Sequence, residues 1–91
     1  MPVTWSPEAI NDIARITTHI AAENPIAARR VAQELVLAAD SLTLFRRRGR
    51  KSALPGRREL VAITPYIIVY RIKDEDVVTI LRVWHGTQDR A

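Results

Sequence analysis

The chain has no cysteine, and only three glycines, one methionine and one phenylalanine among its 91 residues. Without cysteine there is no disulfide staple, no thiolate metal ligand and no thiol nucleophile. So little glycine, beside 47% apolar residues, excludes a low-complexity or disordered chain. No apolar run approaches the roughly 20 residues that span a bilayer. The opening MPVTWSPEA has neither the charged nor the apolar region of a secretory leader. Histidine is scarce too: His19 and His85 lie far apart with no matched carboxylate pair, so neither a metal site nor a cofactor is expected. The expectation is one soluble, cytoplasmic domain over residues 1–91, stabilised by packing and helped by any partner that covers apolar surface.

Acid is missing where base is densest. The segment RRRGRKSALPGRR, residues 46–58, holds seven of the fourteen basic residues and no Asp or Glu. A net charge of +4 therefore understates a strong local asymmetry. Such a density exceeds what solubility requires and favours an anionic partner, either nucleic acid or an acidic protein segment. Arg46, Arg47, Arg48, Arg50, Lys51, Arg57 and Arg58, with Arg82 further on, are the candidate target-binding residues.

Around that segment the periodicity changes once. PVTW suggests a short strand. SPEA then starts a helix, with Ser6 as N-cap, Pro7 at the first helical position and Glu8 in the first turn. Ile10, Ile13, Ala14, Ile20 and Ala21 follow at helical spacing and predict the buried stripe. The helix should end at ENP, and Asn24–Pro25 restarts a second by the same logic. Its seam runs through Ala28, Val31, Leu35, Ala38, Leu42 and Phe45, and Val36 with Leu37 widens it beyond one face. Either this helix is sandwiched or something outside the chain covers it. The short connection predicts an antiparallel helical hairpin. After the basic segment, with its Pro55–Gly56 turn, the period becomes two: RRELVAI, YIIVYRI and VVTILRVWH read as strands joined by Thr64–Pro65 and KDED. The fold class expected is α+β in the order β-α-α-β-β-β, a helical hairpin on a small, mainly antiparallel sheet.

This order of elements, together with WSPEAINDI, GRRELV, PYIIVYRI and ILRVWHGTQDR, resembles the RelE/ParE superfamily of type II toxin–antitoxin toxins. The ending PYIIVYRI…VTILRVWHGTQD is most similar to the ParE-type branch. The resemblance implies a small basic toxin, silenced by an antitoxin whose C-terminal segment folds along the toxin's surface. Ile13, Ile20, Leu35 and Leu42 are the candidate antitoxin-binding residues, or else simply this domain's own core.

The resemblance also implies one of two targets. ParE-type members poison DNA gyrase, which requires a binding surface and no catalysis. RelE-type members cut messenger RNA on the ribosome, which requires proton carriers and cations around a phosphate. For that alternative His85 is the natural proton carrier, and Arg58, Arg71 and Arg82 the phosphate clamps. On a regular last strand, however, His85 shares a face with Val77, Thr79, Leu81 and Val83, and Arg82 shares the other with Val78, Ile80 and Trp84. YoeB-like nucleases carry an arginine where this chain has Ile67, and an aromatic where it has Gly86. The expectation is therefore a gyrase inhibitor, with His85 a strand-end histidine beside Trp84 and Trp84 itself either surface or core.

Overall fold

The computed structural model describes residues 3–73 and 77–86. Its elements are β1 (Val3–Trp5), α1 (Pro7–Ala21), α2 (Pro25–Ser41), β2 (Arg50–Lys51), β3 (Arg58–Ile63), β4 (Tyr66–Lys73) and β5 (Val77–His85). Both helices start where the sequence places them. The Ser6 hydroxyl accepts from the Ala9 N–H at 3.0 Å and the Asn24 side chain from the Ala27 N–H at 3.0 Å, each followed by proline. The α2 helix stops at Ser41, one turn short of Phe45, which lies beyond the helix and is exposed. The connection Asp74–Asp76 and the tail from Thr87, including Arg90, fall outside the described residues.

The sheet has five strands in the order β1-β5-β4-β3-β2, with β1 parallel to β5 and every other pair antiparallel. The extra strand β2 pairs Arg50 with Glu59 and Lys51 with Arg58. Two adjacent cations carry no hydrophobic alternation, so nothing in the local pattern announces this strand. The helical hairpin lies on one face. Ala9, Leu35, Ala39 and Leu42 from the helices pack against Leu60, Ile68, Tyr70, Val78, Ile80 and Val83 from the sheet.

Two details of packing differ from the expected stripes. On α1 the fully buried positions are Ala9 and Asp12, with Ile13 and Ile16 packed beside them, whereas Ile10, Ala14 and Ala21 face solvent. A carboxylate occupies this core-facing position because β5 supplies its partners. On β5 the register with β4 shifts between Val69↔Arg82 and Tyr70↔Ile80, leaving Leu81 as the extra residue of a bulge. The bulge reverses the alternation, so Val78 and Ile80 share the core face with Val83 instead of with Arg82 and Trp84.

Candidate functional site

The basic segment is bolted to the sheet. The Tyr70 hydroxyl, fully buried, accepts the Gly49 N–H at 2.8 Å and donates to the Arg46 carbonyl at 2.8 Å. Burial pushes this phenol's pKa up, against the Gly49 hydrogen bond and the charges of Arg58 and Arg48, so it keeps the proton it donates. The Arg58 guanidinium donates to the Gly49 carbonyl at 2.7 Å and to the Arg47 carbonyl at 3.4 Å. Gly49 is fixed by space as well: a Cβ there would stand 2.7 Å from the Glu59 carbonyl oxygen and 2.8 Å from the Tyr70 ring.

This bracing divides the cations that composition treats alike. Arg48 donates to the Ser41 hydroxyl at 2.9 Å, Arg50 pairs with Glu59 at 3.1 Å, and Arg58 holds the two carbonyls. Arg46 is half-buried and contributes its carbonyl to the anchor. Arg47, Lys51 and Arg57 are exposed, and among the described residues their side chains make no hydrogen bond or ion pair. Of the expected target-binding set, these three present charge without a partner among the described residues.

Arg82 is committed elsewhere. Asp12, 1% exposed, accepts Arg82 Nε at 2.8 Å and the Val83 N–H at 2.9 Å on Oδ2, and Arg82 Nη2 at 3.0 Å and Arg15 Nη2 at 2.9 Å on Oδ1. Burial pushes this carboxyl up, but the hydrogen bonds from Arg82, Val83 and Arg15, together with the Arg82 charge, outweigh it and hold the pKa below the usual value. The strand β1 stops at Trp5, leaving the far half of β5 as an open edge. The Ser6 hydroxyl donates to the Leu81 carbonyl at 2.9 Å and Asp12 takes the Val83 N–H, so α1 seals that edge with side chains.

Of the residues expected for a nuclease, Arg82 and His85 are not brought together. Arg82 lies over the Trp84 ring, 5.4 Å from its centroid, while His85 meets Tyr66 edge-on at 5.5 Å on the helix side of the sheet. The bulge precedes Arg82, so it leaves Arg82 and His85 on opposite faces. His85 therefore stacks on Tyr66 rather than on Trp84, and half-exposed Trp84 lies outside the core. Ile67 is buried opposite Trp84. Gly86 donates its N–H to the Pro65 carbonyl at 2.6 Å, and a Cβ at Gly86 would lie 2.9 Å from that oxygen. The Thr64–Pro65 turn thus excludes any side chain where the nucleases carry an aromatic.

The residues expected to meet an antitoxin divide by burial. Leu35 and Leu42 are 0% exposed and belong to the domain's own core, so no partner reaches them on the intact fold. Ile13 and Ile20 are half-buried. Most of the large apolar side chains left open lie instead on α2, at Ile26, Val36 and Leu37, and just after it at Leu44 and Phe45, the last two 78% and 62% exposed; Ile10, Leu54 and Val61 are exposed elsewhere. Sequence reasoning missed Asp12 and Tyr70 as organisers. The one available signal for Asp12 was a carboxylate beside Ile13 within an apolar period; for Tyr70, only its place on the Ile68–Ile72 face was legible.

A helical hairpin on one face of a five-stranded mixed sheet is the architecture of the RelE/ParE class of toxins. Residues 3–90 match the family model described as ParE toxin of type II toxin-antitoxin system, parDE, and the chain belongs to that family. It is 40% identical over 86 residues to Toxin RelE2 of Caulobacter vibrioides, spanning 94% of this chain and 96% of that one. The fold superposes with TM-score 0.82 at 27% identity on a chain of the chromosomal ParDE system from P. aeruginosa, covering 93% of this chain and 95% of that one. A chain of the toxin–antitoxin complex RelBE2 from Mycobacterium tuberculosis matches with TM-score 0.59 at 26% identity, covering 91% and 94%. The protein is a type II toxin of the ParE/RelE superfamily.

Proposed function

We propose that this toxin arrests growth in the cytoplasm by binding and inhibiting DNA gyrase, without catalysis of its own, and that a cognate antitoxin silences it. The observation that carries this reading is the contrast between two sets of side chains. The acid–base candidates are dispersed, with His85 on one face of the sheet and Arg82 on the other, held by Asp12. The cations of residues 46–58 are concentrated on a loop that the Tyr70 hydroxyl holds in place. Such an arrangement suits recognition of a large anionic or DNA-bearing target better than proton transfer at one phosphate. Because ParDE and RelBE2 are toxin–antitoxin systems, the exposed apolar side chains Ile26, Val36, Leu37, Leu44 and Phe45 are the natural seat for an antitoxin's amphipathic segment.

The test is supercoiling of relaxed plasmid by purified gyrase and ATP with the toxin titrated in. Lost supercoiling with linear DNA accumulating is the expected result. Full supercoiling, with messenger RNA cut on translating ribosomes, would replace this reading by the nuclease one. His85→Ala separates the two independently: its arrest of growth should be nearly unchanged for a gyrase inhibitor, and abolished for a nuclease that uses His85 as proton carrier.

A further inference from the structure

Beside the braced loop lies a hollow of about 370 Å³, walled by Arg47, Lys51, Arg57 and Arg58, with Leu54 and Ile72 as apolar sides. We infer that this hollow is a phosphodiester-binding site, taking the backbone of a nucleic acid strand. The inference rests on reading the basic loop as the target-facing surface, and it adds the chemical group that surface grips.

Four cations from three points along residues 47–58 converge there, and among the described residues no acid lines the space. The one carboxylate of the neighbouring strand, Glu59, is engaged by Arg50 outside the hollow. Arg58 acts as a brace, its guanidinium turned to the carbonyls of Gly49 and Arg47. Arg47, Lys51 and Arg57 stay exposed and unpaired among the described residues. Gathering like charges around a concavity destabilises a small domain unless an anion answers them. The fold nevertheless fixes the arrangement with a fully buried phenol and with a glycine that tolerates no Cβ.

The shape and chemistry favour a phosphodiester over a carboxylate side chain. Phosphate contacts are built from arginine, lysine, serine hydroxyls and unshielded backbone N–H groups together. Arginine, lysine and Ser52 line the space, and so does the Pro55–Gly56 turn. Gly56 has φ +75°, and nothing lies within 4 Å of where a Cβ would stand, so the backbone of this turn is open to close approach. The volume lies in the range of ligand sites, roughly 300–1,000 Å³. It has room for a sugar against Leu54 and Ile72 beside the phosphate.

Direct binding by the full chain, without gyrase or ribosome, is the test. A short fluorescent oligodeoxynucleotide, single-stranded and as a duplex, is titrated by anisotropy from about 50 to 200 mM salt. Lys51→Gln with Arg57→Gln should weaken binding about tenfold. It should also lower the slope of log K against log salt by roughly 1.4 to 1.8, the equivalent of two phosphate contacts. Arg29→Gln with Arg30→Gln, on exposed α2 positions, removes the same charge elsewhere and should change both far less. Circular dichroism checks that each variant folds, and shifts of the Ser52 and Gly56 amide resonances on adding inorganic phosphate to the unmutated protein locate the site without any variant. Equal losses from the two pairs, no binding by the unmutated protein, or tighter binding of a polyglutamate peptide of equal length would overturn the inference. None of these results bears on whether gyrase is inhibited, so the supercoiling assay stands or falls separately.

Discussion

Asp12 and Tyr70 are the side chains whose loss should be felt most. Asp12→Ala removes the partner of two arginines and leaves the Val83 N–H without its acceptor. Arg82 and Arg15 are exposed enough to hydrate, so the expected destabilisation is about 2–3 kcal/mol, measured by urea unfolding, rather than the full loss of a buried pair. The folded carboxyl lies below its ordinary value of 3.8. Its contribution is therefore complete above that value and disappears as pH falls through the lower folded one. Urea midpoints should accordingly fall steeply below about pH 4 for the unmutated protein and less steeply for Asp12→Asn. Tyr70→Phe keeps the ring but strands a buried Gly49 N–H. It should cost about 1–3 kcal/mol and speed amide exchange selectively over residues 46–50, read by hydrogen-exchange NMR. The sequence showed Tyr70 as a strand aromatic, but its hydroxyl's partners are 21 and 24 residues away and follow only from the fold.

At the level of elements, helix starts were legible because capping is local: Ser6–Pro7 and Asn24–Pro25 each need only three residues to declare themselves. The long strands were legible from their alternation. The β5 bulge was not, because it answers to pairing with β4 and to the contact with Asp12, both remote in sequence. Without it, Arg82 and Trp84 are assigned the face of Val78 and Ile80, and the fate of every side chain beyond Leu81 is inverted. The period separates the seam residues Leu35 and Leu42 from Val36 and Leu37, but it does not say which set is this domain's core and which is left for a partner. Exposure separates them. Leu37→Glu, at a 62% exposed position, should leave stability within about 0.5 kcal/mol. It should weaken capture by the antitoxin at least tenfold, measured by titration calorimetry with the cognate antitoxin. Leu35→Ala should instead destabilise by about 2–5 kcal/mol.

For the whole molecule, the net charge of +4 matters less than its layout. Charge reversal of the loop is informative only where the cation has no structural duty. Arg50→Glu would face Glu59 and disturb β2, so Arg47→Glu with Lys51→Glu is the better pair. That double variant should fold normally yet require roughly tenfold more protein for the same growth arrest, with the gap narrowing as salt rises in the purified gyrase assay. The other molecular-scale feature is the clasp between the two ends of the chain. Thr4 with Val78, Ser6 with Leu81 and Asp12 with Arg82 and Val83 join residues 70 to 75 positions apart. Beyond local bonds such as the Ser6 cap and the Asp12–Arg15 pair, β1 and α1 draw these polar partners from β5, so that strand completes the sheet's edge. A fragment that stopped before β5 would lose all of these bonds at once, leaving β1 with no strand to pair with and the Asp12 carboxylate without Arg82 and Val83.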